Sequence, residues 1–189
     1  MNKQPEITDA TRENFIQAFC ELYKKMPIKK ITVKEIAERA GYSRVTFYSY
    51  FSNPYDVLNY MEDVFINHVT EGISKSLLTD RKLDDFLITF VNLANDNCAY
   101  GSILLLKPFS TQFINRLKES MVPILFDLFH FSAENKKAAY IFEFYLPGII
   151  SVFSKWFCDK ENMPLEELAH LIEGILKDGV LSLLEEMVS

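Results

Sequence analysis

The chain has 189 residues, long enough to bury a core without disulfide or metal staples. Apolar residues make up 49%, with 16 Phe and 9 Tyr, which excludes a disordered chain. Net charge is −6, but residues 1–52 hold nine basic and six acidic side chains. A head of +3 thus precedes a remainder of −9, and any attraction for phosphate lies at one end.

Mean hydropathy is +0.01, high enough to hint at an apolar subunit interface or an internal pocket, although a large core reads the same way. Cys20, Cys98 and Cys158 are odd in number and far apart, so they read as free thiols. The first residues, MNKQPEITDATREN, are polar, and no stretch of eighteen apolar residues occurs. A cytoplasmic protein with no membrane partner is expected. His68, His130 and His170 are scattered, and no Walker, Rossmann or metalloprotease motif appears. Neither an enzyme nor a bound cofactor or metal is expected.

Almost every segment has helical periodicity, and none alternates like a strand. A first helix is predicted from about Asp9 to Met26, with Thr8 as N-cap and Pro27 as stop. Its apolar face is Phe15, Ala18, Phe19, Leu22, Tyr23 and Met26. A second starts after Thr32, which has capping-box spacing to Glu35, and ends at Gly41, where a left-handed residue is needed. A third runs from Ser43 to about Phe51, with Phe47 and Phe51 turned to the core. Asn53-Pro54 opens a fourth, to about Lys75, with Val57, Leu58, Met61, Val64, Phe65 and Val69 inside.

Further helices are predicted near Leu83–Asn95, Ala99–Leu106, Thr111–Phe129 (with a kink at Pro123), Glu134–Cys158 and Pro164–Val188. Pro147-Gly148 predicts a bend or break in the second-last. The fold class is therefore all-α. A helix-turn-helix domain over residues 1–54 precedes a larger helical bundle over 55–189.

Residues 31–58 carry the most information. Two short helices joined at Ala40-Gly41-Tyr42 have the helix-turn-helix layout, in which the second helix enters the major groove. Ser43 and Arg44 begin that helix, and arginine can bond bidentately to guanine. Thr46, Tyr48 and Tyr50 offer hydroxyls, and Ser49 is small and polar. Thr32 begins a helix, where free N–H groups favour phosphate, and Lys29, Lys30 and Lys34 flank it. The same spacing also fits a helix hairpin in an all-α bundle whose tyrosines pack inward.

The stretch resembles the DNA-binding segment of the TetR family. Thr32, Ile36-Ala37-Glu38-Arg39-Ala40-Gly41 and Thr46-Phe47-Tyr48-Ser49-Tyr50-Phe51 carry the resemblance. It implies that Thr32, Thr46, Tyr48 and Tyr50 contact or buttress phosphate. Tyr42, Ser43 and Arg44 would approach bases or the adjacent backbone, with Ile36, Ala37, Ala40, Phe47 and Phe51 as core. Two positions depart from the family. Val45 stands where a small residue is common, and Pro54 replaces the lysine that usually opens helix four and holds a phosphate. Asn53 or Tyr55 could take over that anchor.

The resemblance further implies a homodimer through the helices near 134–158 and 164–188, a small-molecule effector pocket, and a double-stranded, palindromic DNA operator. Two apolar stripes in 134–158 agree with two buried faces: Ala139, Phe142, Leu146, Ile149, Ile150, Phe153 and Phe157, and Ile141, Tyr145, Gly148, Val152 and Trp156. Gly174 and Gly179 would allow close approach of the last helix. Aromatic candidates for the pocket are Phe86, Phe90, Phe109, Phe113, Tyr140, Tyr145 and Trp156. The function read from this is a DNA-binding transcriptional regulator, with repression the commoner role. The alternative is a protein of the same fold that binds a ligand or partner and has weakened DNA affinity.

Overall fold

The computed structural model describes residues 5–77, 91–92, 100–104, 107–159 and 161–179. These residues are helical or in short connections, and no strand occurs among them. The chain divides into two compact units, Met1–Val64 and Phe65–Ser189.

In the first unit, the head, α1 spans Pro5–Tyr23. It starts ahead of Thr8, which lies inside the helix rather than capping it. Proline suits a helix's first turn, where its missing N–H has no partner to lose. A single 3-10 turn, Ile28–Lys30, follows Pro27. Helix α2 spans Val33–Ala40 and carries both capping signals. Thr32 and Glu35 form a reciprocal capping box, and Gly41 ends the helix at φ 77°, a region that residues with a Cβ enter only under strain. Helix α3 is only Arg44–Tyr48, shorter than its periodicity predicts. Beyond it, Ser49 and Tyr50 form a turn that lets Phe51 fold back into the core.

Helix α4 spans Pro54–Leu77. Asn53 caps it, its Oδ1 accepting from the N–H of Tyr55 (2.8 Å) and Asp56 (3.1 Å). The first turns of α4 belong to the head, because Val57 and Met61 help to close its core. That core joins Phe15, Ile16, Phe19 and Leu22 of α1 to Ile36, Ala37, Phe47 and Phe51. Phe15 meets Phe47 edge-to-face at 5.3 Å, the arrangement that ring quadrupoles favour. Burial also pushes the Cys20 thiol, 3.9 Å from the Met61 sulfur, up to about 11.

In the second unit, the body, α5 is Gly101–Leu104, α6 Thr111–Leu128, α7 Lys136–Cys158 and α8 Leu165–Lys177. The helix predicted over Leu83–Asn95 lies, apart from Val91 and Asn92, outside the described residues. Helix α6, capped by Ser110, runs on through Pro123, and α7, capped by Asn135, runs on unbroken through Pro147-Gly148. A proline removes one helical hydrogen bond, and packing on both sides of it holds the helix together. Helices α6 and α7 pack side by side, with Phe126 and Phe142 rings 5.4 Å apart and a Lys118–Glu143 ion pair at 2.8 Å. Helix α8 stops at Lys177, and the rest of the helix predicted to Val188 lies, beyond Gly179, outside the described residues. Gly179 has φ 84°, so it ends the helix instead of offering a close approach within it.

Of the two stripes predicted in α7, the described residues bury part of one and leave much of the other exposed. Ala138, Leu146, Ile150 and Phe153 are buried. Tyr140, Ile141, Phe144 and Val152 are exposed, as is Ala139, which the inward stripe had included. By length and composition this helix is apolar enough to cross a membrane.

Candidate nucleic-acid interface

A helix advances about 100° per residue, so the five residues of α3 cover its whole circumference. Phe47 is fully buried and fixes the inward direction. Val45 and Ser49 fall opposite Phe47, with Tyr48 and then Arg44 on the flank beside them; all four are exposed and together form the outward arc. Ser43 starts the helix, its Oγ accepting from the Thr46 N–H at 3.1 Å, and the two hydroxyls lie 2.9 Å apart. Ser49 Oγ donates to the Val45 carbonyl at 3.3 Å, tightening the last turn. The tyrosine hydroxyl of Tyr48 rides on an exposed ring that stands edge-on to Phe47 at 5.9 Å.

The head has three arginines, and geometry sorts them. Arg39 is tied to Glu21 at 2.6 Å. Arg12 is tied to Asp9 at 2.8 Å, and its guanidinium lies 5.9 Å from the Tyr50 ring and 5.6 Å from the Tyr60 ring. Arg44 has no ion pair or hydrogen bond among the described residues, and its donors face solvent. An uncommitted guanidinium on the outward arc of a short, capped helix is equipped for a base edge or a phosphate. Lys29 and Lys30 are likewise exposed in the turn before α2, while Lys34 pairs loosely with Glu38 at 3.8 Å.

Of the other residues singled out from sequence, Thr32 is exposed at the start of α2. Its N–H and hydroxyl both donate to the Glu35 carboxylate, at 3.0 and 2.7 Å. Those bonds hold the Glu35 carboxyl below its ordinary range. A carboxylate therefore already sits at the helix N-terminus, where negative charge is favoured. Tyr42 and Tyr50 lean on α1 rather than on the outward arc. The Tyr42 ring lies 5.2 Å from Phe15, and its hydroxyl is bonded to Thr11 and to Asn14 at 3.2 Å. Those bonds lower the Tyr42 hydroxyl's pKa. The Tyr50 ring lies 5.8 Å from Phe15. Ser43, Arg44, Thr46, Tyr48 and Ser49 thus form one cluster on α3 and its cap, and Thr32 stands at the next helix.

At the start of α4, the position of Pro54 is built without a cation. Asp56 accepts from the Ser52 N–H at 2.8 Å, and Asn53 Oδ1 is used by the cap. Tyr55 is exposed beside them. Sequence reasoning missed Arg12, Asn14 and Tyr60. Arg12 meets the Tyr50 and Tyr60 rings and Asn14 bonds to Tyr42, contacts far apart in sequence that no local pattern marks.

The aromatic residues proposed to line a pocket do not gather in one place among the described residues. Phe86 and Phe90 lie outside those residues. Phe109 and Phe113 touch, with rings 4.6 Å apart, and Phe113 is core. Phe109 also lines an open cavity of about 530 Å³ with Pro108, Ile114, Ser151, Ser154, Lys155, Cys158 and Asp159. Tyr140 is exposed on the outer face of α7, and Tyr145 lines a groove of about 350 Å³ between α7 and α8. Trp156 donates its Nε1–H to the Met163 carbonyl at 2.8 Å.

A capped helix-turn-helix with a polar, arginine-bearing arc, followed by a helical body, defines a DNA-binding transcriptional regulator. Residues 7–61 match the family described as "Bacterial regulatory proteins, tetR family", and residues 81–178 match one described as "Transcriptional regulator C-terminal region". The chain belongs to the tetR family of bacterial transcriptional regulators.

Similar solved structures share the fold. The fatty acid degradation regulator FadR from Bacillus halodurans aligns over 95% of this chain and 98% of its own, at TM-score 0.63 and 17% identity. The dihydroxyacetone kinase operon activator DhaS aligns over 88% and 93%, at TM-score 0.56 and 20% identity. A tetR-family transcriptional regulator from Streptomyces coelicolor aligns over 87% and 77%, at TM-score 0.56 and 15% identity. No curated protein sequence matches the chain.

Proposed function

We propose that the chain is a homodimeric repressor that reads a palindromic operator through α3 and is released by a small-molecule effector. The uncommitted Arg44 on the exposed arc of α3 carries this reading. Arg44, Tyr48 and Ser49 contact DNA directly, with Ser43 and Thr46 shaping the start of the helix. Thr32, its hydroxyl given to Glu35, buttresses the start of α2, and Tyr42 and Tyr50 brace α3 against α1. Tyr55 replaces the missing lysine at the start of α4.

The outward stripe of α7 supports dimerisation. Tyr140, Ile141, Phe144 and Val152 are exposed, and a groove between α7 and α8 continues the stripe. A second copy covering it would remove this apolar area from water. That also accounts for the high apolarity of α7 without a membrane, in keeping with a regulator that works beside DNA in the cytoplasm. Two α3 helices would then face half-sites about 34–36 Å apart, or a multiple of that. The cavity beside Phe109 is of ligand size and supports an effector site.

The test is binding of the full-length protein to its own upstream DNA at several salt concentrations, beside an Arg44→Ala, Tyr48→Phe variant. Specific binding that strengthens as salt falls and drops about 10- to 100-fold in the variant is expected. Equal affinity for upstream and random DNA, unchanged in the variant, would sink the reading.

A further inference from the structure

Val45 is 78% exposed, the most exposed of the large apolar side chains in the described residues. It stands near the middle of the outward arc of α3, between Tyr48 and Ser49 when viewed down the helix axis. Nothing local selects valine there. A β-branched residue lowers helix propensity in a helix of only five residues, and an exposed one gains nothing from burial. The other members of the arc, Arg44, Tyr48 and Ser49, all carry polar groups. An apolar group centred among donors is accounted for by something apolar that those donors bring to it.

We propose that Val45 is a specificity-determining residue whose methyl groups cover the 5-methyl group of a thymine in each half-site. This rests on the reading of α3 as the helix that enters the major groove. Thymine's methyl is the apolar group displayed on that groove's base edges. A guanine, adenine or cytosine edge beneath Val45 would leave polar atoms buried without partners. The geometry is also preorganised. In a helix a valine holds largely one rotamer, and the Ser49 hydroxyl clamps the Val45 carbonyl at 3.3 Å. The two methyls are therefore presented with little entropy left to lose.

The full-length protein first selects its preferred duplex from a random-sequence pool. Each thymine in that duplex is then replaced singly by uracil, which removes the methyl and nothing else. Wild type and Val45→Ala are titrated on every duplex at one salt concentration. At one thymine per half-site, uracil should weaken wild-type binding about three- to fivefold, the worth of one buried methyl. Val45→Ala should bind the two duplexes equally there. Wild type indifferent to uracil at every position overturns the inference, as does a Val45→Ala variant that loses as much as wild type. A pool from which no sequence emerges overturns α3 as the base-reading helix, and this inference with it.

Discussion

In the head, polar side chains close on one another. Thr32 pairs with Glu35, Ser43 with Thr46, Asn53 with the backbone of α4, and Arg12 with Asp9 and two tyrosine rings. In the body, α7 leaves Tyr140, Phe144 and Val152 in solvent, beside an apolar groove. In the head, Arg44 on α3 and Lys29 and Lys30 before α2 still present their charges to solvent. The body has an apolar surface that the described residues leave uncovered. The contrast supports the proposed partners: a polyanion with readable edges for the first, and another apolar protein surface for the second.

The largest effect tests whether the head's core, rather than its polar pairs, holds α3 in place. Phe47→Ala removes a ring that is fully buried against Phe15 and Phe51, and should cost about 3–5 kcal/mol. Hydrogen exchange should show α2 and α3 losing protection while α6 and α7 keep theirs. Uniform loss along the chain would break the comparison, because head and body would then share one cooperative unit.

The next effect tests the body. Phe144→Asp charges the exposed stripe without touching a buried residue. Sedimentation should show a monomer, with unchanged helical circular dichroism. Affinity for a duplex with two half-sites should fall on the order of a hundredfold, because linked binding is lost, while affinity for one half-site stays. A dimer that survives Phe144→Asp would move the interface elsewhere.

Thr32→Ala sharpens the head's side of the contrast. Loss of an N-cap hydroxyl should cost about 1 kcal/mol, read as a lower urea midpoint. It carries a pH signature too. Bonds from Thr32 lower the Glu35 carboxyl below its ordinary value of 4.5. The stabilisation they give is complete above pH 4.5 and disappears as pH falls through the lower folded value. Wild type should therefore lose more of its stability than Thr32→Ala on acidification below pH 4.5.

The smallest effect concerns bracing. Arg12→Ala removes the cation between Tyr50 and Tyr60, worth about 0.5–1 kcal/mol of head stability. Because Arg12 acts through Tyr50, the DNA dissociation rate should rise with the slope of log Kd against log salt unchanged. A reduced slope would mean that Arg12 itself meets a phosphate.

What the sequence determined by itself was the punctuation of the head and the polar arc it frames. Thr32 with Glu35, Gly41, Ser43 and Asn53-Pro54 each satisfy or end a helix within about four residues, so a local reading suffices. The amphipathic stripes of α1, α4 and α7 were legible for the same reason, since a helical period is a local property. Only the tertiary structure decided which side chains remained available. Tyr42 and Tyr50 turn toward α1, Arg12 is held between two rings, and the bond from Asn14 to Tyr42 spans 28 residues of chain. It also decided that α7 runs on through Pro147 and that α8 stops before Gly179. Such choices depend on which helix comes to lie beside which, and a local pattern of residues contains no term for that.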